Sequence, residues 1–266
     1  MTLFGFLLGF GIFIGAILYE AGNASLFINP HGLIIVIGGS IAAAFAGFHL
    51  NELVRATTSL TFIFKKVSEN PKKYIELFTG LAEKNHKGGL SAIEDEVNRL
   101  APGFAKGGLD LLINGFKREE IEDVMDTQIQ AMVVYEQSDS NLFRTMASLA
   151  PGFGLVGTLI GLIIMLMHLE DVAKVAPSMA TAMTATFYGV ILANLIFLPL
   201  SVKISRRLES KTWLYEMIKT GVLCLYDKKH PLFVKEKMNA FVPGVEKAAK
   251  GKGAAASARK PAAAKA

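Results

Sequence analysis

Cysteine is almost absent from this 266-residue chain: Cys224 stands alone. A single thiol excludes an internal disulfide framework, so nothing in the sequence requires an oxidising compartment. Catalytic signatures are missing as well. There is no zinc-ligand spacing, no GxSxG, no Walker loop and no clustered His/Cys. His31, His49, His86, His168 and His230 are scattered, mostly at span edges or in loops, where interfacial roles outnumber ligand roles. An enzyme is therefore not expected. Charge is missing in blocks: residues 3–18, 33–50, 150–167 and 179–202 hold no Asp, Glu, Lys or Arg. Crossing a bilayer core as a helix takes roughly 20 apolar residues, and these four blocks are near that length. No positive segment precedes the first block and no cleavage site follows it, so a signal peptide is the weaker reading.

What is present fits a membrane protein with a sizeable aqueous part. The chain is 52% hydrophobic with mean hydropathy +0.39, high for a soluble domain. The formal net charge of +5 is carried by the C-terminal stretch 244–266, where six Lys/Arg face Glu246 alone. That Ala/Lys/Gly stretch cannot build a core and reads as a disordered basic tail. Attraction to an anionic membrane surface or plain solubility suits it better than nucleic-acid binding, and no nucleic-acid partner is expected.

In chain order, residues 1–50 read as a transmembrane hairpin whose two spans flank a short turn-rich loop at 20–31. Residues 51–148 are different material, with 12 Lys/Arg and 15 Asp/Glu among apolar residues at helical spacing. Asn70-Pro71 is an N-cap followed by proline at the first helical position. Tyr74, Leu77, Phe78 and Leu81 then repeat at i, i+3, i+4, i+7. Gly88-Gly89 breaks that helix. Ser91 to Glu94 has the capping-box pattern for the next helix, which aligns Ile93, Val97 and Leu100. A long acidic helix starts near Lys117, with Ile121, Met125, Ile129 and Met132 as its buried stripe, and runs on into the third span. The segment is a compact helical domain. Residues 149–202 hold spans three and four, joined by a short loop at 169–178, and 203–243 reads as a cytoplasmic amphipathic helix. Of the 28 Lys/Arg, one (Lys174) falls in a loop between paired spans. By the positive-inside rule the insert and both termini are cytoplasmic. The fold class is an all-α integral membrane protein with four transmembrane helices.

The third span is unusual. Gly154, Gly157 and Gly161 fall three and four apart and share one face, with Thr158 beside them. Small residues let helices approach closely in lipid, and Pro151 removes a backbone donor near the start. Ion carriers normally keep a carboxylate inside the membrane despite a cost of roughly 2.5–3.5 kcal/mol at a helix centre. None is present here, so it must come from a partner helix. The spans can offer hydroxyl and carbonyl oxygens, hard ligands for a small cation. Thr158 and Thr186 are the best placed; the alternative for each is a bond to a carbonyl of its own helix.

The segments APGFGLVGTLIGL (150–162), MATAMTATFYGVILANLIFLPL (179–200), IVIGGS (35–40) and GLSAIEDE (89–96) resemble the A subunit of the bacterial flagellar motor stator, the MotA/PomA family, related to the TolQ/ExbB energisers. TolQ/ExbB-type proteins have three spans, so the N-terminal hairpin favours the stator. The resemblance implies an inner-membrane homo-pentamer around a dimer of a single-span B subunit (MotB/PomB type) that carries the ion-binding aspartate and grips the cell wall. Ion flow would rotate the ring and drive the rotor. It also implies that the face of Gly154, Gly157 and Gly161 packs toward the partner helices, and that Pro151 and Pro199 serve conformational coupling. His86, Lys87 and Glu94 match charged positions that contact the rotor switch complex, although His86 departs from the usual arginine. Glu94 is equally explained by the capping box.

Proton-driven members of that family tend to have a small apolar residue where this chain has Thr158, and sodium-driven members a threonine. Ala185 departs from the further threonine of sodium-type relatives. The implied cargo is sodium, with the proton as the alternative. No cofactor and no tightly bound metal are expected beyond transient sodium near Thr158 and Thr186. The alternative function is a TolQ/ExbB-like energiser or scaffold of a non-flagellar envelope machine.

Overall fold

The computed structural model describes residues 2–21, 27–64 and 70–242, and every element among them is helical. In order they are α1 (Thr2–Ala21), α2 (Pro30–Leu33), α3 (Gly39–Gly47), α4 (Leu50–Phe64), α5 (Pro71–Gly88), α6 (Ser91–Asn98), α7 (Phe104–Ile113), α8 (Arg118–Met167), α9 (Val172–Ile191), α10 (Leu198–Tyr226) and α11 (Pro231–Asn239). A π-helical turn, Ile34–Gly38, joins α2 to α3, and another, Leu192–Phe197, joins α9 to α10. The second stands just before Pro199, whose ring crowds the carbonyl four residues back. Among the described residues, three helical runs are long and apolar enough to cross a membrane: Pro30–Gly47, Arg118–Met167 and Val172–Tyr226. The apolar stretch Phe4–Glu20 of α1 is shorter. The basic tail and residues 22–26 of the first loop lie outside the described residues.

Several local signals act as the sequence suggests. Asn70 caps α5, its side chain accepting from the Lys72 N–H at 3.1 Å, with Pro71 behind it. Gly89 ends α5 at φ 73°, a region that favours glycine. The Glu120 carboxylate accepts from the Lys117 N–H at 2.8 Å and starts α8, which then runs 50 residues without a break. Other signals misplace the ends. Ser91 lies inside α6, whose N-cap is Leu90 with no side-chain hydrogen bond, so the capping box does not form. The loop expected at 169–178 is mostly helix, because Asp171 caps α9 by accepting from the Ala173 N–H at 3.2 Å. Residues 203–243 are not one helix. A turn at 227–230, with Lys228 at φ 48°, separates α10 from α11.

The chain divides into two compact units, Met1–Val67 with Val134–Leu208, and Ser68–Val133 with Glu209–Ala266. The boundaries differ from those drawn on composition. Residues 51–64 and 134–148 group with the apolar helices, and 209–242 group with the insert. The second unit has an apolar core built from Phe78, Leu81, Ile93, Leu109, Ile121, Met125, Met217, Ile218 and Leu225. Of the stripe Ile121, Met125, Ile129 and Met132, the first three are buried as their spacing predicts and Met132 is half-buried. Cys224 is buried in this core, and burial pushes its thiol above the ordinary range.

In the first unit a polar seam fastens α4 to α8. Arg55 Nε donates to Asp139 Oδ1 at 2.6 Å, and the guanidinium lies 3.8 Å over the Tyr135 ring. Burial pulls the Arg55 guanidinium down, but the hydrogen bonds with Tyr135 and Asp139 outweigh it and hold it above its ordinary value. Ser138 donates to Glu52 at 2.6 Å. That bond and the His49 N–H hold the Glu52 carboxyl below the usual range. In the same unit Ala56, Leu142, Phe143, Leu200 and Ile204 form a small core.

Candidate functional site: a hydroxyl pair on a glycine seam

The seam between α8 and α9 is nearly backbone on backbone. A methyl on Gly161 would meet Ala182 at 2.7–2.9 Å, and one on Gly157 would meet the Ala185 Cβ at 2.5 Å. From Gly154 it would reach the Thr186 Cα at 3.0 Å, and from Gly189 the Ala150 carbonyl oxygen at 2.7 Å. All four glycines are buried within the chain. This corrects the expected placement of Gly154, Gly157 and Gly161. Their face is taken up by the chain's own α9, because Ala182, Ala185 and Gly189 supply the complementary small residues.

The close approach brings Thr158 and Thr186 together. Their hydroxyls are hydrogen-bonded to each other, and each reaches across the seam. Thr158 Oγ1 lies 3.1 Å from the Ala182 carbonyl, the group that Thr186 would back-bond in its own helix. Thr186 Oγ1 lies 3.3 Å from the Gly154 carbonyl, which Thr158 also reaches at 3.2 Å. The two threonines thus share each other's i−4 carbonyls, and the back-bonding alternative describes only part of the arrangement. The two hydroxyls and two carbonyl oxygens form one connected cluster. Each hydroxyl has one proton and two lone pairs; one hydroxyl donates to the other, which donates to a carbonyl, so each keeps a lone pair that can turn toward a cation. Thr186 is exposed in the single chain and Thr158 half-buried, which leaves the pair open to a partner. No acidic group lies on 150–167 or 179–202, so the countercharge must come from elsewhere.

The other expected residues lie apart from this pair. Pro151 sits inside α8 at the end of the seam nearest Gly189, whose methyl would come 3.2 Å from its Cα. Pro199 lines an apolar cavity of about 260 Å³ with Gly5, Phe6 and Leu195. His86, Lys87 and Glu94 are exposed around the α5–α6 junction of the second unit. The His86 ring stands edge-on to His230 at 5.9 Å. Sequence reading missed Asn29 and Tyr188, which fasten the segment before α2 to α9. The N-cap pattern Asn29-Pro30 was the available signal for the first of them.

Apolar runs of membrane length and an all-helical fold are those of a helical membrane protein. Residues 96–217 match the MotA/TolQ/ExbB proton channel family. The chain is 31% identical to the chemotaxis protein PomA of Vibrio alginolyticus, covering 86% of this chain and 90% of that one. It is 32% identical to the uncharacterized protein YtxD of Bacillus subtilis, covering 91% and 89%. The solved flagellar MotAB stator complex from Bacillus subtilis superposes with a TM-score of 0.79 at 25% identity, covering 90% of this chain and 96% of that one. The chain belongs to the MotA/TolQ/ExbB proton channel family, a family of channels and not of enzymes.

Proposed function

We propose that the chain is the A-type subunit of a flagellar motor stator. Five copies surround a dimer of a single-span B subunit, and sodium passes Thr158 and Thr186 on its way inward. The observation that carries this reading is the crossed hydroxyl pair with its two carbonyls. Sodium must exchange its water shell for several oxygens, whereas a proton needs only a carboxylate and a water path. Either ion gains about 2.3 kcal/mol per 100 mV on crossing, so coordination and not energy selects it. The partner's aspartate supplies the missing negative charge.

On this reading four spans, α1 among them, cross the inner membrane with both termini and the insert on the cytoplasmic side, in keeping with the distribution of Lys and Arg. Pro151 and Pro199 sit at helix positions where a missing donor eases a change of bend, which suits conformational coupling. Lys87 and Glu94 present exposed charge to the rotor, with His86 beside them. The failure of the capping box favours that role for Glu94, since its carboxylate is not consumed by α6.

Ion flux in vesicles tests the reading. The chain reconstituted with a B-type partner should conduct, and the chain alone should conduct little, because a bare cation in hydrocarbon finds no counter-ion. Selective flux through the chain alone would refute it.

A further inference from the structure

The segment preceding α2 is pinned to α9 by hydrogen bonds that the ion pathway does not use. Asn29 Nδ2 donates to Thr181 Oγ1 at 2.8 Å, and the Asn29 backbone N–H donates to the Tyr188 hydroxyl at 2.7 Å. That hydroxyl in turn donates to the Phe27 carbonyl. Asn29 Oδ1 caps α2 by accepting from the Gly32 N–H at 3.2 Å. Phe27, Asn29, Thr181 and Tyr188 are all half-buried, and the Phe27 and Phe187 rings touch with centroids 5.6 Å apart.

These bonds bracket Ala185. On one side Gly32 brings its backbone against it, so that a methyl on Gly32 would lie 3.3 Å from the Ala185 Cα. On the other side Gly157 leaves room for the Ala185 Cβ, which a methyl on Gly157 would meet at 2.5 Å. Ala185 is therefore wedged between α2 and α8, and the next residue is Thr186. Helical neighbours point about 100° apart, so fixing Ala185 fixes the direction of the Thr186 hydroxyl. A rotation of α9 by about 30° would carry a Cα on its cylinder about 1.2 Å, enough to part a hydrogen-bonded pair.

We propose that Asn29 and Tyr188 are positioning residues for the ion pathway, holding α9 at the rotation that keeps Thr186 against Thr158. Neither touches the ion. The proposal rests on the reading of Thr158 and Thr186 as ion ligands. Tyr188→Phe keeps the ring and removes only the hydroxyl. Asn29→Asp keeps the cap of α2 and removes the donation to Thr181.

The test uses the full chain with its B-type partner in a motile host that lacks its own stator, with swimming speed measured against external sodium at fixed pH. Protein levels are checked by immunoblot. Tyr188→Phe and Asn29→Asp should each raise the half-saturating sodium concentration about three- to tenfold, the worth of one hydrogen bond, with maximal speed retained. Thr158→Ala combined with Tyr188→Phe should shift it no further than Thr158→Ala alone. A Tyr188→Phe chain with wild-type half-saturation overturns the proposal, whatever its protein level. So does full addition of the two shifts in the double variant, which would mean independent action. If Thr158→Ala itself leaves half-saturation unchanged, the ion-ligand reading fails first and the positioning role falls with it.

Discussion

Gly189 stands so close to Ala150 that a methyl group on it would come within 2.7 Å of the Ala150 carbonyl oxygen. The obstacle is backbone and cannot rotate away. Gly189→Ala must therefore part α8 from α9, and Gly161→Ala must do the same against the Ala182 backbone. Overpacking of this kind costs about 1–3 kcal/mol. Both variants should lower thermal stability in detergent and motility together. Gly11→Ala, where nothing lies within 4 Å, should leave both unchanged. A Gly189→Ala chain as stable as wild type would show that the seam is looser than described.

The pair Arg55–Asp139 offers a second check. The Asp139 side chain is 5% exposed and that of Arg55 18%, so removing one leaves the other buried without its main partner. Asp139→Ala should destabilise by about 3–5 kcal/mol, and the double change Arg55→Met with Asp139→Leu should recover most of it. Thermal unfolding of the three variants decides the matter. Glu52→Gln, at the other end of the same seam, should cost much less, because its carboxylate is well solvated.

Much of this arrangement could be read from the chain because its signals are local. Asn70-Pro71, Gly89 and the stripe Ile121, Met125, Ile129 act within one or two helical turns of themselves. Pairings across the chain were harder to read. The residues Leu214, Met217, Ile218 and Leu225 already showed helical spacing, but nothing in that spacing says that they bury against Phe78 and Ile121. The glycines of α8 announced a close approach without naming the partner, although Ala182, Ala185 and Gly189 offered the matching small face. Lys174 and Pro177 interrupted the apolar run and hid the start of α9, which the Asp171 cap fixes. The crossed carbonyls of Thr158 and Thr186 depend on a helix register that no single segment encodes.

The proposed rotor contact predicts a separation of effects. Because no side chain caps α6, Glu94→Gln and Glu94→Lys should both stay within about 0.5 kcal/mol of wild type. Glu94→Lys should nevertheless impair motility, as should Lys87→Glu, with protein levels in the membrane unchanged. A compensating charge reversal on the rotor should restore swimming. Loss of the protein on Glu94→Gln would assign the residue to folding.

The identity of the ion is the central claim, and Thr158→Ala tests it most directly. Swimming speed is measured against external sodium at fixed pH, in wild type and in the variant, each with its B-type partner. Wild-type speed should rise with sodium and saturate, and Thr158→Ala should move half-saturation to much higher sodium while the protein stays in the membrane. Wild-type speed indifferent to sodium but collapsed by a protonophore would contradict the account and make the proton the ion.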